Sequence, residues 1–302
     1  MRVGVALGNL GLAMGGAVEP AAHAALVYRL ADEAERLGFH SVWAGDHLAL
    51  PRSPTTAYPY GPAGRLLDAD ASLLDPFAVL AALAGRTERV RLGFGVVVLP
   101  YRHPLVVAKL VATIDALSGG RVILGVGSGW MPEEFAAVGA DYAARKRETD
   151  ASLQFLTRAF ADGEVDGMTV LPKPVQRPGP PIWVGGNAPA ALRRAVQFAH
   201  TWDAPYVDPD ELPVGIARLH EVCRAAGRDP SSISVSVRGL AATDVDPALL
   251  DRYADLGVVH VGVTLPVADL DRAVTTLNEL ARRCPQHLSQ PDRRRGALTP
   301  RN

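Results

Sequence analysis

The feature that most constrains this chain is a repeated order of short apolar runs, each followed by a helical pattern. Val3–Leu7 leads to a helix near Pro20–Leu37, Ser41–Ala44 to one near Pro76–Gly85, and Val90–Val98 to Pro104–Leu117. Val122–Val126 leads to a helix near Pro132–Phe160, and Ile182–Val184 to Ala188–Ala199. The weaker strand Trp202–Ala204 precedes Asp208–Ala226, Ile233–Val237 precedes Pro247–Leu256, and Val258–Val263 precedes Val267–Arg283. Eight strand–helix units with short apolar strands favour a closed parallel (β/α)8 TIM barrel, with an open doubly wound sheet as the competitor.

The third helix shows the local logic. Pro104 suits a first turn because it has no N–H to leave unpaired. Val106, Leu110, Thr113 and Leu117 fall on one face, flanked by Val107, Val111 and Ile114. Gly119 and Gly120 end the helix, since glycine adopts the left-handed cap without steric cost. Two connections exceed ordinary length: His47–Leu74 after strand two and Asp162–Pro181 before strand five. Both are expected as excursions from one domain spanning 1–284, followed by a disordered tail, 285–302, that carries Arg293, Arg294 and Arg295.

The formal charge of −1 offers no basic surface for nucleic acid. Cys223 and Cys284 lie far apart and form no zinc spacing, which fits a reduced, cytoplasmic compartment. The apolar N-terminus is short, broken by glycine and claimed by the first strand, so neither a signal peptide nor a membrane span is expected. No HExxH or GxSxG stretch occurs, and His47 and His103 lie on different loops without a clear third ligand, so no metal is expected.

In such a barrel the chemistry sits just after the strands. Strand two ends in "WAGDHL", with Asp46 and His47, and strand three in "LPYRHP", with Tyr101, Arg102 and His103. Strand four ends in "GVGSGWMPEEF" and strand five in "VGGNAPAAL". His47 can trade protons near neutral pH or simply bond a loop. Asn187 can cap the following helix, while Gly185 and Gly186 let an anion approach backbone N–H groups; an ordinary turn is the bland alternative. In the other glycine stretch, Glu133 and Glu134 suit the helix dipole but repel a phosphate. A phosphate is therefore expected at Gly185–Asn187, and a flat neutral ring against Gly127–Gly129.

Three stretches together resemble the luciferase-like family of flavin and deazaflavin oxidoreductases: "ERLGFHSVWAGDHL", "LGFGVVVLPYRHPLVVAKLVATIDALSGGRVILGVGSGWMPEEFAAVG" and "KPVQRPGPPIWVGGNAPAALRRA". They run in family order over most of residues 2–200 and look most like the branch that uses coenzyme F420, a 5-deazaflavin. The C-terminal third resembles the family only weakly.

The resemblance implies hydride transfer between F420 and a small organic substrate. It implies a non-proline cis peptide at Gly95–Val96 behind the ring, with Val98 in the same cofactor-binding stretch. His47 matches the histidine at the ring's reactive edge, with Asp46 beside it. Ser128 and Gly129 match ring contacts, and Gly185 and Gly186 the phosphate cradle. Arg52, Arg65, Lys173 and Arg177 lie in the excursions as candidates for the anionic oligoglutamate tail of F420. Trp130 stands where the sugar-phosphate dehydrogenases of the family have an acid; it has no titratable proton and is expected in the substrate pocket with Tyr101 and Arg102. The rivals are an FMNH2- and oxygen-dependent monooxygenase on the same barrel, and a non-catalytic flavin-binding barrel. Family likeness also implies a homodimer acting on a small molecule, away from membranes.

Overall fold

The computed structural model describes residues 1–8, 19–53, 55–59, 70–265 and 270–288. Its elements in chain order are β1 (Arg2–Ala6), α1 (Pro20–Leu37), β2 (Ser41–Ala44), α2 (Pro76–Arg86), β3 (Arg91–Phe94), β4 (Val97–Val98), α3 (Pro104–Ser118) and β5 (Val122–Gly127). There follow α4 (Pro132–Ala137), α5 (Arg145–Asp162), β6 (Glu164–Val165), β7 (Met168–Thr169), β8 (Ile182–Gly185) and α6 (Pro189–Phe198). The last are β9 (Thr201–Pro205), α7 (Leu212–Ala225), β10 (Ser234–Ala241), α8 (Pro247–Asp255), β11 (Val258–Thr264) and α9 (Leu270–Arg283).

The main sheet runs β3-β2-β1-β11-β10-β9-β8-β5-β4, and a further β3–β5 pairing closes it. Every pairing in it is parallel, as in Val5 opposite Val42 on one side and Val263 on the other. Strands β3 and β4 form one stave, interrupted by a cis peptide between Gly95 and Val96, so the fold is a closed eight-stave (β/α)8 barrel. Proline at the first turn opens α1, α2, α3, α4, α6 and α8. Asp75 caps α2 by accepting from the N–H groups of Phe77 and Ala78, and Gly119 closes α3 in the left-handed region.

The long helix expected over Pro132–Phe160 is two helices. Gly139 takes φ +72° and the N–H of Ala140 returns to the Phe135 carbonyl, which ends α4 after two turns. That break holds Glu133 and Glu134 on a short helix at the barrel mouth instead of at the start of a long one.

The excursion before β8 contains the antiparallel hairpin β6–β7. Its later part packs on strand starts: Gln176 accepts from Arg91 and donates to the Val122 carbonyl and Asp115. Lys173 bonds the Ala161 carbonyl and Arg177 that of Pro174. This is the end of the barrel opposite the strand C-termini, so Lys173 and Arg177 do not serve a ligand bound at the mouth. Arg65 and the tail from 289 onward lie outside the described residues, while Pro285–His287 form a 3-10 turn. No helix among the described residues is long and apolar enough to cross a membrane. Cys223 and Cys284 are buried free thiols.

Candidate active site

A cavity of about 250 Å³ opens at the strand C-termini, with lining residues from all eight staves. Part of its wall is bare main chain, because Gly45, Gly95, Gly127, Gly129, Gly185 and Gly186 all face it, while Trp43, Trp130, Lys146, Arg238 and His260 supply side chains.

The glycines of GVGSG are fixed by packing within the protein. A Cβ on Gly125 would stand 1.9 Å from the Phe94 carbonyl oxygen, and one on Gly127 would stand 2.7 Å from Val96 Cγ2. Gly129 has φ +75° and its Cβ would meet Phe135 at 2.6 Å. The stretch is therefore bare first because the β3–β4 stave presses on it; the exposed main chain on the cavity side is the consequence.

His47 is buried and its Nδ1 lies 2.8 Å from Glu134 Oε2. Tyr101 donates its hydroxyl to the same oxygen at 2.7 Å, while Oε1 accepts from the N–H groups of Leu48 and Ala49. Burial pushes the Glu134 carboxyl upward, but the His47 ring, the Leu48 N–H and the Tyr101 hydroxyl together hold it below its ordinary range. A carboxylate accepting at both oxygens fixes the hydrogen on His47 Nδ1 and leaves Nε2 as the nitrogen free to act on the cavity side. Burial, then Glu134, raises the Tyr101 hydroxyl far above its ordinary value, so it stays a donor.

Asp46 lies beside this group on the cavity wall. It takes a two-pronged bond from Arg102, at 2.7 and 2.9 Å, and accepts the Val98 N–H at 3.0 Å. Burial raises the Asp46 carboxyl, opposed by the Arg102 guanidinium. Arg102 also reaches Asp75 at 2.9 Å. Tyr101 and Arg102 thus stand behind the cavity, supporting Glu134 and Asp46, and neither is among its lining residues. Asn187 does not cap α6: its Nδ2 donates to the Pro205 carbonyl, and the cap position falls on Ala188 without a side-chain bond. Gly95, Val96, Val98, Ser128, Gly129, Gly185, Gly186 and Trp130 all line the cavity with His47 and Asp46.

Sequence reasoning missed several groups. Glu133 accepts from both the N–H and the hydroxyl of Thr55, pinning the first excursion over the mouth. That brings Tyr58 edge-on to Trp130 at 5.2 Å between centroids and to Tyr206 at 6.3 Å; Trp130 is in turn edge-on to His47 at 6.0 Å. Lys146, on the first turn of α5, and Arg194, midway along α6 and paired with Asp150 at 2.6 Å, are basic residues of the cavity wall. Asp203 and Arg238 face it from the barrel interior, joined at 3.1 Å. Among the described residues no cluster of three or more His, Cys, Asp or Glu side chains is placed to hold a metal.

A family model for luciferase-like monooxygenases matches residues 1–300. The chain belongs to the luciferase-like monooxygenase family. An uncharacterized protein of Mycobacterium tuberculosis is 37% identical over 248 residues, which is 78% of this chain and 84% of that one. The phthiodiolone/phenolphthiodiolone dimycocerosates ketoreductase of Mycobacterium kansasii is 32% identical over 233 residues, 70% of this chain and 63% of that one. Among solved structures, the coenzyme F420-dependent tetrahydromethanopterin reductase of Methanopyrus kandleri superposes with a TM-score of 0.68 at 17% identity, covering 95% of this chain and 99% of that one. The oxygenating constituent of the 3,6-diketocamphane monooxygenase of Pseudomonas putida, a type II Baeyer-Villiger monooxygenase in complex with FMN, does so with 0.70 at 15% identity, covering 97% and 100%. These two likenesses are of fold. Luciferase-like relatives are oxidoreductases, and F420-dependent and FMN-dependent barrels both stand among the structural neighbours of this family member.

Proposed function

We propose that this luciferase-like protein is an F420-dependent oxidoreductase that moves a hydride between the deazaflavin and a small organic substrate bearing a carbonyl or alcohol. The observation that carries the reading is the His47–Glu134 pair, which sets a fixed proton donor and acceptor, His47, on the wall of a glycine-rich cavity. A planar ring with an anionic tail fits these residues. Gly95–Val96 and Gly127–Gly129 lie side by side on neighbouring staves and give the ring one wall from whose glycines no side chain projects. Lys146 and the positive end of the α6 dipole offer positive charge where the tail would leave, while Arg194 is paired with Asp150 at 2.6 Å.

F420, when bound, would supply the two-electron hydride chemistry. The protein's own residues do the rest. His47 Nε2 gives or takes the proton at the substrate oxygen, and Glu134 holds the ring in the tautomer that makes this possible. Asp46 and Arg102 tie the β4 main chain to the loop after β2, so the two walls of the slot keep their spacing. Trp130, Tyr58 and Tyr206 close the mouth with apolar faces and restrict water. Trp130 carries no titratable proton, so the acid role falls to His47. The ketoreductase relative supports carbonyl reduction as the reaction class.

The FMN-bound Baeyer-Villiger neighbour favours a second reading, an FMN-dependent monooxygenase. Anaerobic fluorescence titrations with F420 and FMN, run side by side, decide between them. F420 is expected to bind more tightly. Tighter FMN binding with oxygen consumption on reduction overturns the F420 reading.

A further inference from the structure

The barrel interior holds a cation that the proton-transfer group does not use. Arg238 lies on β10 in register between Pro205 of β9 and Gly262 of β11, and its side chain crosses the barrel. A Cβ on Gly185 would stand 2.7 Å from Arg238 Nη2, and one on Gly95 would stand 3.7 Å from Nη1. Gly185 is therefore bare at least in part to admit this guanidinium, which sits at the floor between the ends of β3 and β8. Arg238 Nε is 3.1 Å from Asp203 Oδ2, and Ser236 stands opposite Asp203 in the β9–β10 register. No hydrogen bond from Nη1 or Nη2 of Arg238 is found among the described residues, and Arg238 lines the cavity.

A guanidinium is all donor and needs oxygen or nitrogen acceptors. The mouth of the cavity already has Lys146 and the N-terminus of α6 for an anionic tail, so the floor meets the opposite part of the ligand. In a flavin-type ring the pyrimidine edge carries the carbonyl oxygens, and it is also the edge whose charge changes. Hydride uptake adds two electrons and one proton, leaving one net negative charge that the pyrimidine nitrogen and its neighbouring carbonyl share. Asp203 would repel that charge if it were loose; paired with Arg238 Nε, it instead orients the guanidinium with both Nη groups forward.

Resting on the flavin-type cofactor reading, we propose that Arg238 is the cofactor-tuning residue of this site: its Nη groups bind the pyrimidine edge of the ring and favour the reduced, anionic form. Positive charge at that edge raises affinity for the reduced ring over the oxidised ring and so raises the midpoint potential of the bound cofactor.

The test is anaerobic binding of oxidised and reduced F420, and in parallel oxidised and reduced FMN, to the wild type, Arg238→Met, Arg238→Lys and the double variant Asp203→Asn/Arg238→Met. The double variant removes both charges, so that no buried carboxylate is left unpaired. Arg238→Met and the double variant are expected to lose about tenfold or more of the preference for the reduced ring, the usual weight of a charge-assisted hydrogen bond. Arg238→Lys is expected to retain an intermediate preference. F420 binding with an unchanged ratio in the double variant overturns the role of Arg238 and leaves the F420 reading standing. Tighter FMN binding with an Arg238-dependent ratio supports the role and overturns the F420 reading. Failure of the wild type to bind either ring overturns both.

Discussion

His47 Nδ1 and Glu134 Oε2 lie 2.8 Å apart although 87 residues separate them in the chain. The contact exists because β2 and β5 flank the same stave, so the loops after them meet over the mouth. Glu134→Gln keeps the shape but offers an N–H where the His47 nitrogen needs an acceptor, so the wrong tautomer is favoured. Turnover in Glu134→Gln and in His47→Ala is expected to fall about 10²–10⁴-fold with cofactor affinity held within a few-fold. The two should not add: the double variant is expected to be no slower than His47→Ala alone, because both act through one proton. Steady-state rates across pH 5 to 9 check this, and full turnover in His47→Ala would make the histidine structural.

Much of the fold was legible because strand ends and helix starts carry local signals. Proline at the first turn and glycine at the cap need no tertiary partner to make sense. The single helix expected over 132–160 failed for a local reason as well, the left-handed Gly139. The site was legible where it hangs on strand ends, as at Asp46 and His47. Glu134 was not, since a carboxylate in a helix's first turn suits the dipole whether or not a histidine lies near. Arg238 left a readable trace: in "SVSVRG" the residues Ser234, Ser236 and Arg238 alternate with Val235 and Val237. A strand with valines toward the helices and polar groups toward the axis signals a ligand-facing interior. Lys146 and Arg194 left none, because basic residues at exposed-looking helix positions are common.

Trp130 and Tyr58 define the substrate side. Trp130→Ala removes contact area shared by ground and transition states, so it is expected chiefly to raise KM and leave kcat nearly unchanged. Trp130→Glu is not expected to create sugar-phosphate oxidation, since one new carboxylate supplies no anchor for the sugar's phosphate. Steady-state kinetics with the best carbonyl substrate found, and with glucose 6-phosphate, measure both outcomes.

A homodimer is expected in solution, formed in part by α3. Its inner face is buried through Val107, Val111 and Ile114, while Leu105, Val106, Leu110 and Leu117 remain exposed on the outside. Such an apolar stripe on a helix surface is unusual for a free face. Light scattering at micromolar concentration is expected to give twice the chain mass, and Val106→Glu/Leu110→Arg to give the monomer. A monomeric wild type refutes the assignment.

Stability is expected to fall as pH drops from 7 toward 4. Burial, then Arg2 and Arg91, pulls His40 down to about 4. Burial likewise lowers His200, with Arg228 adding to it, and holds His260 well below its ordinary value. A folded state that keeps these rings neutral has its full stability above the unfolded pKa near 6.5, and loses it as the unfolded chain takes up protons the folded chain refuses. His40 alone accounts for about 1–2 kcal/mol between pH 7 and pH 5. Urea denaturation at several pH values measures the slope, and His40→Gln is expected to flatten it.

The sharpest test of the site's architecture is a pair of glycine substitutions. Gly85 lies in α2 with nothing within 4 Å of an added Cβ, so Gly85→Ala trades chain entropy for nothing lost and is expected to stabilise by about 0.5–1 kcal/mol. Gly125 is buried in β5, and its Cβ would stand 1.9 Å from the Phe94 carbonyl oxygen, a main-chain atom with no rotamer to yield. Gly125→Ala therefore has to push β3 and β5 apart where they pair, at a cost of about 3 kcal/mol or more. The displaced segment is the one that carries Gly95 and Val96 to the cavity, so the variant is also expected to bind cofactor more weakly even where it folds. Urea denaturation of both variants beside the wild type reads the stabilities, and ring titration reads the second effect. If Gly125→Ala were as stable as the wild type, the close approach of the two staves would be wrong, and the account of why this stretch is so rich in glycine would go with it.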